Sequence, residues 1–252
     1  MHRRGVLAGI AALAALQADG QVRRLDGADI RAARAVAAMA SHRVLFLGNS
    51  FTYEHDVPGR VAALSREDGL AFAPAMLAEG GARLGGLLSR PAVAETVTLG
   101  WSALVVQDHS TAALDPRLAD ESRRFLAHAA RLADPAPVVI VEPWARAAGH
   151  PLYETGAGLR EGVAPPRSPS AMTRATARHV DAVATALRRE GFDVRVAPVG
   201  RGWQRAIRQG ARLHGPDLYH ANEDGAALTA SILWRALRRR LALRRDPLAP
   251  CH

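Results

Sequence analysis

From residue 43 onward the chain alternates between short unbroken apolar runs and longer stretches whose apolar residues recur every three or four positions. Arg43-Val-Leu-Phe-Leu-Gly48 is the first such run. It is too short and too uniformly apolar for an amphipathic helix, and it reads as a strand buried on both faces, as strands of a parallel sheet are. Residues 103–107 (ALVVQ) and 138–142 (VVIVE) repeat the form, and 193–199 (DVRVAPV) is a fourth instance. Residues 70–77 (LAFAPAML) form a weaker fifth, in which Pro74 removes a ladder donor and so predicts a sheet edge. Between these runs, residues 56–67, 120–132, 171–190 and 223–243 carry helical spacing. Strands alternating with helices predict an α/β protein, a three-layer α/β/α doubly wound (flavodoxin-like) parallel sheet of about five strands. Residues 43–243 are expected to form a single domain, with chemistry in the loops that directly follow the strands.

The flanking segments depart from this pattern. Residues 21–42 read as a solvent-exposed helical lead-in rich in Ala and Arg, and residues 244–252 as a tail. The first 20 residues have a basic start (His2-Arg3-Arg4) and then a short apolar run from Gly5 to Leu16. This reads equally as a signal peptide, which would export the protein, or as an ordinary helix of a cytoplasmic one. The run is too short to span a bilayer, so no stable membrane insertion is expected. Residues 145–170, with Gly156, Gly158, Pro165, Pro166 and Pro169, read as a long loop of the kind that often serves as a binding loop or lid.

Composition refines the picture in two places. A net charge of +9 over 252 residues would ordinarily suggest a polyanionic partner. The chain has no lysine, however, and its arginines are scattered, a pattern that fits coding bias better than a phosphate-binding face; no nucleic-acid partner is expected. The lone Cys251 excludes a disulfide framework or a cysteine zinc site. His42, His55, His128, His150, His179 and His214 show no ligand spacing, so no metal is expected.

The candidate chemistry follows the first strand and precedes the last helix. In Gly48-Asn49-Ser50-Phe51-Thr52 a serine stands two residues past the strand, where a turn would lift its hydroxyl to the carboxyl edge of the sheet. A serine here is either a helix cap or a nucleophile. Asp217-Leu218-Tyr219-His220 supplies what a nucleophile needs: a base, and a carboxylate close enough in sequence to orient it. The block is not the G-x-S-x-G elbow, because Thr52 replaces the last glycine.

With these blocks the sequence resembles the SGNH (GDSL-like) hydrolases over residues 43–240. GNSFT matches the family's G-x-S-x-[T/V/L] block and DLYH its D-x-x-H block. RVLFLGNSFT, VVQDHS (105–110), EPWAR (142–146), PVGRGW (198–203) and Gly225 are similar in order and spacing to a poorly characterised branch. The resemblance implies a serine hydrolase that cleaves a carboxylic ester through an acyl-enzyme on Ser50, with Asp217 and His220 completing a triad and no cofactor. It also implies an oxyanion hole made by the N–H groups of Ser50 and Gly81 and by a side chain after the third strand. The family's Asn is absent from that place, where Gln107 is preferred and His109 is the alternative. Trp144 and Arg146 are candidates for substrate contact, whereas Trp203 reads as packing. The expected substrate is a small-molecule or carbohydrate ester, possible forms being an O-acyl or O-acetyl group. The altered third block leaves a catalytically weakened binding protein as the alternative, with a basic nucleic-acid-binding module behind it.

Overall fold

A computed structural model describes residues 22–243. The N-terminal run read as an export signal and the tail with Cys251 lie outside the described residues. The elements run α1 (Gly27–Met39), β1 (Arg43–Gly48), α2 (Ser50–Tyr53), α3 (Val57–Glu67), β2 (Ala73–Ala78), α4 (Leu84–Leu88), α5 (Pro91–Val97) and β3 (Ala103–Val106). They continue with α6 (Pro116–Ala133), β4 (Val138–Val141), α7 (Leu152–Thr155), α8 (Pro169–Arg189), β5 (Val194–Ala197), α9 (Val199–Arg208) and α10 (Glu223–Leu243).

The five strands are all parallel, in the order β2-β1-β3-β4-β5. Helices cover both faces, so the fold is three-layer α/β/α. Alternation along β1 shows why its run is apolar throughout: Leu45 and Leu47 enter one core cluster, Val44 and Phe46 the other. The first cluster contains side chains of α1, α4, α5, α6 and α8, and the second those of α3, α9 and α10. Pro74 lies in β2, the edge strand, where its missing N–H interrupts no ladder. The chain steps from β1 outward to β2 and then back across to β3. The crevice where ligands bind in such sheets is therefore at the carboxyl ends of β1 and β3.

Several boundaries moved for local reasons. Helix α6 begins at Pro116 because Asp115 caps it, accepting from the Arg117 N–H, and proline fits the first helical turn. The lead-in is not wholly exposed: α1 is capped by Asp26 and buries Ala33 and Ala37 in the first core cluster. Helices α4, α5 and α9 had no counterpart in the apolar spacing, since the first two are only five and seven residues long and the third is polar on its outer face. The 145–170 segment is not structureless. Leu152 packs with Ala145 and Met172, and Arg160 forms a two-pronged pair with the Asp115 carboxylate, holding its pKa down at about 2.

Candidate active site

β1 ends at Gly48 and the chain turns at once into α2. Asn49 caps that helix from an extended conformation, its Oδ1 accepting the Phe51 N–H at 3.2 Å. Its Nδ2 donates to the Ala82 carbonyl at 3.0 Å, tying the turn to the loop after β2. Gly48 is needed for space: a Cβ there would lie 2.1 Å from Thr52 Oγ1 and 3.0 Å from Gln107 Oε1. Ser50 is the first residue of α2, 5% exposed, and the Phe51 and Thr52 N–H groups after it are both taken by Asn49. The Ser50 N–H makes no hydrogen bond among the described residues, as expected at a helix start.

The second half arrives from the loop before α10. His220 Nε2 lies 2.9 Å from Ser50 Oγ, and its Nδ1 lies 2.5 Å from Asp217 Oδ2. Asp217 Oδ1 accepts the N–H groups of Tyr219 (3.0 Å) and His220 (2.9 Å). Burial pushes the Asp217 carboxyl upward, but the hydrogen bond from His220 and the two backbone N–H groups outweigh it and hold its pKa below the ordinary value. The turn that aims both side chains inward uses Leu218 at φ +61°, a left-handed conformation unusual for leucine. Sequence reasoning named these three residues, and the fold brings them together across 170 positions.

The remaining named residues fare differently. Gly81 has φ +67° and an exposed backbone; its neighbours' N–H groups are taken (Gly80 by Arg23 O at 2.8 Å, Ala82 by Glu79 O at 3.1 Å), while its own makes no hydrogen bond among the described residues. Gln107 does not turn its amide toward Ser50. Its Oε1 accepts from Thr52 Oγ1 (3.1 Å) and the Asn49 N–H (3.2 Å), and its Nε2 donates to the Asp108 carbonyl. It is 3% exposed and braces the nucleophile turn from beneath. His109 is the neighbour with a donor to offer. Its Nδ1 lies 2.8 Å from Thr111 Oγ1 and 3.4 Å from the Thr111 N; in the tautomer whose Nδ1 accepts from both, Nε2 carries the proton and is free to donate. Desolvation, then the charge of Arg146, lowers the His109 pKa and favours the neutral ring.

Trp144 and Arg146, the candidates for substrate contact, are both buried beside the site, Trp144 by stacking and Arg146 at the wall of a neighbouring cavity. Trp144 is 2% exposed, stacked between Phe51 (centroids 3.8 Å apart) and Trp203 (4.3 Å), with its indole N–H on the Tyr219 carbonyl. It has no face left for a ligand. Arg146 is 5% exposed, with its guanidinium 3.4 Å over the Tyr219 ring and Nη1 on Ser110 Oγ at 2.9 Å. Both hold up the residues beside Ser50 and His220. Trp203 is packing, as its surroundings in the sequence suggested.

Sequence reasoning missed Glu54, whose Oε1 lies 3.5 Å from His220 Nε2. The signal available was its spacing, four residues after Ser50 on a short helical turn. A cavity of about 380 Å³, lined among others by Arg146, Trp203, Ile207, His214 and Leu218, lies behind the 215–218 loop and includes none of the three candidate catalytic residues. Among the described residues no cluster of His, Cys, Asp or Glu is arranged to hold a metal, and no helix is long and apolar enough to cross a membrane.

No family model matches the chain, and no curated protein matches it by sequence. Solved structures do. A candidate SGNH hydrolase from Slackia heliotrinireducens is 26% identical, with a TM-score of 0.59 over 78% of this chain and 98% of its own. The lipase/acylhydrolase from Enterococcus faecalis is 13% identical, with a TM-score of 0.60 over 81% and 100%. The family 3 carbohydrate esterase from Clostridium thermocellum is 11% identical, with a TM-score of 0.59 over 80% and 98%. The latter two likenesses concern the fold; the first also shares sequence. With its β2-β1-β3-β4-β5 sheet and its ordered blocks after β1 and before α10, the chain belongs to the SGNH (GDSL-like) hydrolase superfamily.

Proposed function

We propose that this hydrolase is a serine esterase acting on small-molecule or carbohydrate esters. One observation carries the reading: the unbroken hydrogen-bonded line from Asp217 Oδ2 through the His220 ring to Ser50 Oγ, at 2.5 and 2.9 Å. A serine hydroxyl becomes a competent nucleophile when a base takes its proton as it attacks. In this reading His220 Nε2 accepts the Ser50 proton while Asp217 holds the Nδ1–H tautomer and stabilises the imidazolium that forms. Ser50 Oγ bonds to the ester carbonyl carbon, and the imidazolium returns its proton to the departing alkoxide. Water then attacks the acyl-enzyme with the same base, releasing the acid and restoring Ser50.

The developing oxyanion needs donors that are not already engaged. The N–H groups of Ser50 and Gly81 and the Nε2–H of His109 meet that condition, and Gln107 does not. We therefore assign the third donor to His109. A carbohydrate esterase among proteins of this fold is consistent with an O-acyl sugar as substrate.

The test is turnover of aryl esters of increasing acyl length by wild type and Ser50→Ala, with fluorophosphonate labelling of both. The expected loss in kcat is about 10⁶-fold with folding intact. Undiminished turnover in the variant overturns the assignment. An unlabelled wild-type Ser50 instead favours a binding protein with an idle site.

A further inference from the structure

We infer that Glu54 is a second carboxylate of His220, a positioning residue that stabilises the imidazolium from its Nε2 side. The inference rests on the reading of His220 as the base of the proposed function. Asp217 is hydrogen-bonded to Nδ1, whereas Glu54 Oε1 stands 3.5 Å from Nε2, the nitrogen that gains the proton when Ser50 attacks. The ring thus has a carboxylate at each nitrogen. Beside the neutral ring's Nε2 lone pair an anion contributes nothing favourable, but beside the imidazolium it is an opposite charge in contact. That difference between the two states is what a transition-state interaction requires.

Three further observations bear on Glu54. First, its ion-pair contact is with the base and not with an arginine. Among the described residues Asp29, Glu79, Glu95, Asp115 and Glu142 each take an arginine, but Glu54 takes none and faces a histidine. Second, its backbone is fixed on the same turn as the nucleophile, its N–H bonding to the Ser50 carbonyl. Third, the two residues after it, His55 (φ +54°) and Asp56 (φ +48°), are both left-handed and neither is glycine. Such conformations persist where surrounding contacts over-determine them, and they concentrate at functional sites. Here His55 Nε2 reaches the Ala221 carbonyl and its Nδ1 reaches Glu223, each at 2.9 Å, stitching the Ser50–Asp56 turn to the segment that follows His220.

The charged and titratable groups around Glu54 come from every packed side. His220 and Asp217 face it from the base loop, with Tyr53 and His55 beside it in the chain. Arg23 lies over the Tyr53 ring at 5.9 Å, and Glu223 and Arg60 stand behind His55. Burial and then the Asp217 charge raise the Glu54 pKa, which the His220 ring opposes.

The decisive variant is Glu54→Gln, which keeps the shape and removes the charge. An opposite charge in contact favours the protonated ring, so removing it moves the acid limb of the kcat/KM profile to lower pH, by about one unit. The plateau falls by about tenfold, the same energy read as rate. In the Ser50→Ala background, which needs no turnover, the titration midpoint of the His220 ring followed by NMR moves the same way when Glu54→Gln is added. A purely structural Glu54 would lower the rate and leave both midpoints in place, and that result, or an upward movement, overturns the inference. Full turnover by Ser50→Ala would overturn the proposed function instead, and the NMR titration would still decide the role of Glu54.

Discussion

The two halves of the candidate site are held in different ways. The nucleophile block is part of the sheet's packed end: Asn49, Ser50 and Thr52 are 3–5% exposed, and Asn49 and Gln107 engage the turn from two sides. The base loop is far more open, with the Asp217 side chain 48% exposed and the His220 side chain 25%. Its order comes from short-range bonds, such as Gly215 N–H to the His220 carbonyl (2.8 Å) and Leu218 N–H to the Gly215 carbonyl (3.1 Å), and from Tyr219 resting on Arg146. The position of Ser50 is thus a property of the core, so disturbing it should cost stability. The position of His220 is a property of one turn, where changes should, on the proposed function, cost rate and leave folding almost untouched.

Among variants that leave Ser50 itself in place, the largest expected effect lies in the base loop. Asp217→Asn keeps the shape but no longer fixes the His220 tautomer, and kcat should fall by about 10⁴-fold with Tm nearly unchanged. A matching fall in Tm would show that the loop is structural and break the contrast. Next comes His109→Ala, expected to lower kcat by ~10²–10³-fold with little change in KM, as for the loss of one oxyanion donor. If His109→Ala is neutral and an amide at 107 proves rate-determining, the third donor must be reassigned to Gln107. The smallest effect, and the one with opposite character, is in the nucleophile block. Gly48→Ala introduces a Cβ only 2.1 Å from Thr52 Oγ1 and should destabilise the fold by about 1–3 kcal/mol. Denaturant unfolding measures this, and unchanged stability would mean the turn is looser than its contacts indicate.

Much of this was legible from residue order. Strand runs with no polar alternation pointed to a parallel sheet covered on both faces, and Pro74 identified its edge, because these follow from periodicity and from a missing donor. Ser50, Asp217 and His220 could be named because each half is local: a serine past a strand, and an aspartate three residues from a histidine. The supporting shell could not be read this way. Gln107 and His109 are two residues apart in one loop, and only the tertiary contacts show that the first reaches down to Asn49 and Thr52 while the second engages Thr111 through its Nδ1. Trp144 and Arg146 were candidates for substrate contact within the EPWAR block. Their burial depends on Phe51, Trp203 and Tyr219, which arrive from distant segments.

The sequence by itself therefore determined the layers and the parallel sheet and singled out three candidate side chains, since periodicity, turn chemistry and short-range spacing act over a few residues. Only the tertiary structure decided which side of His220 faces a second carboxylate, which loop residue is engaged with the Ser50 turn, and which aromatic and cationic side chains pack beside the site. Those are matters of packing between segments far apart in the chain, where a side chain's direction is set by what lies against it.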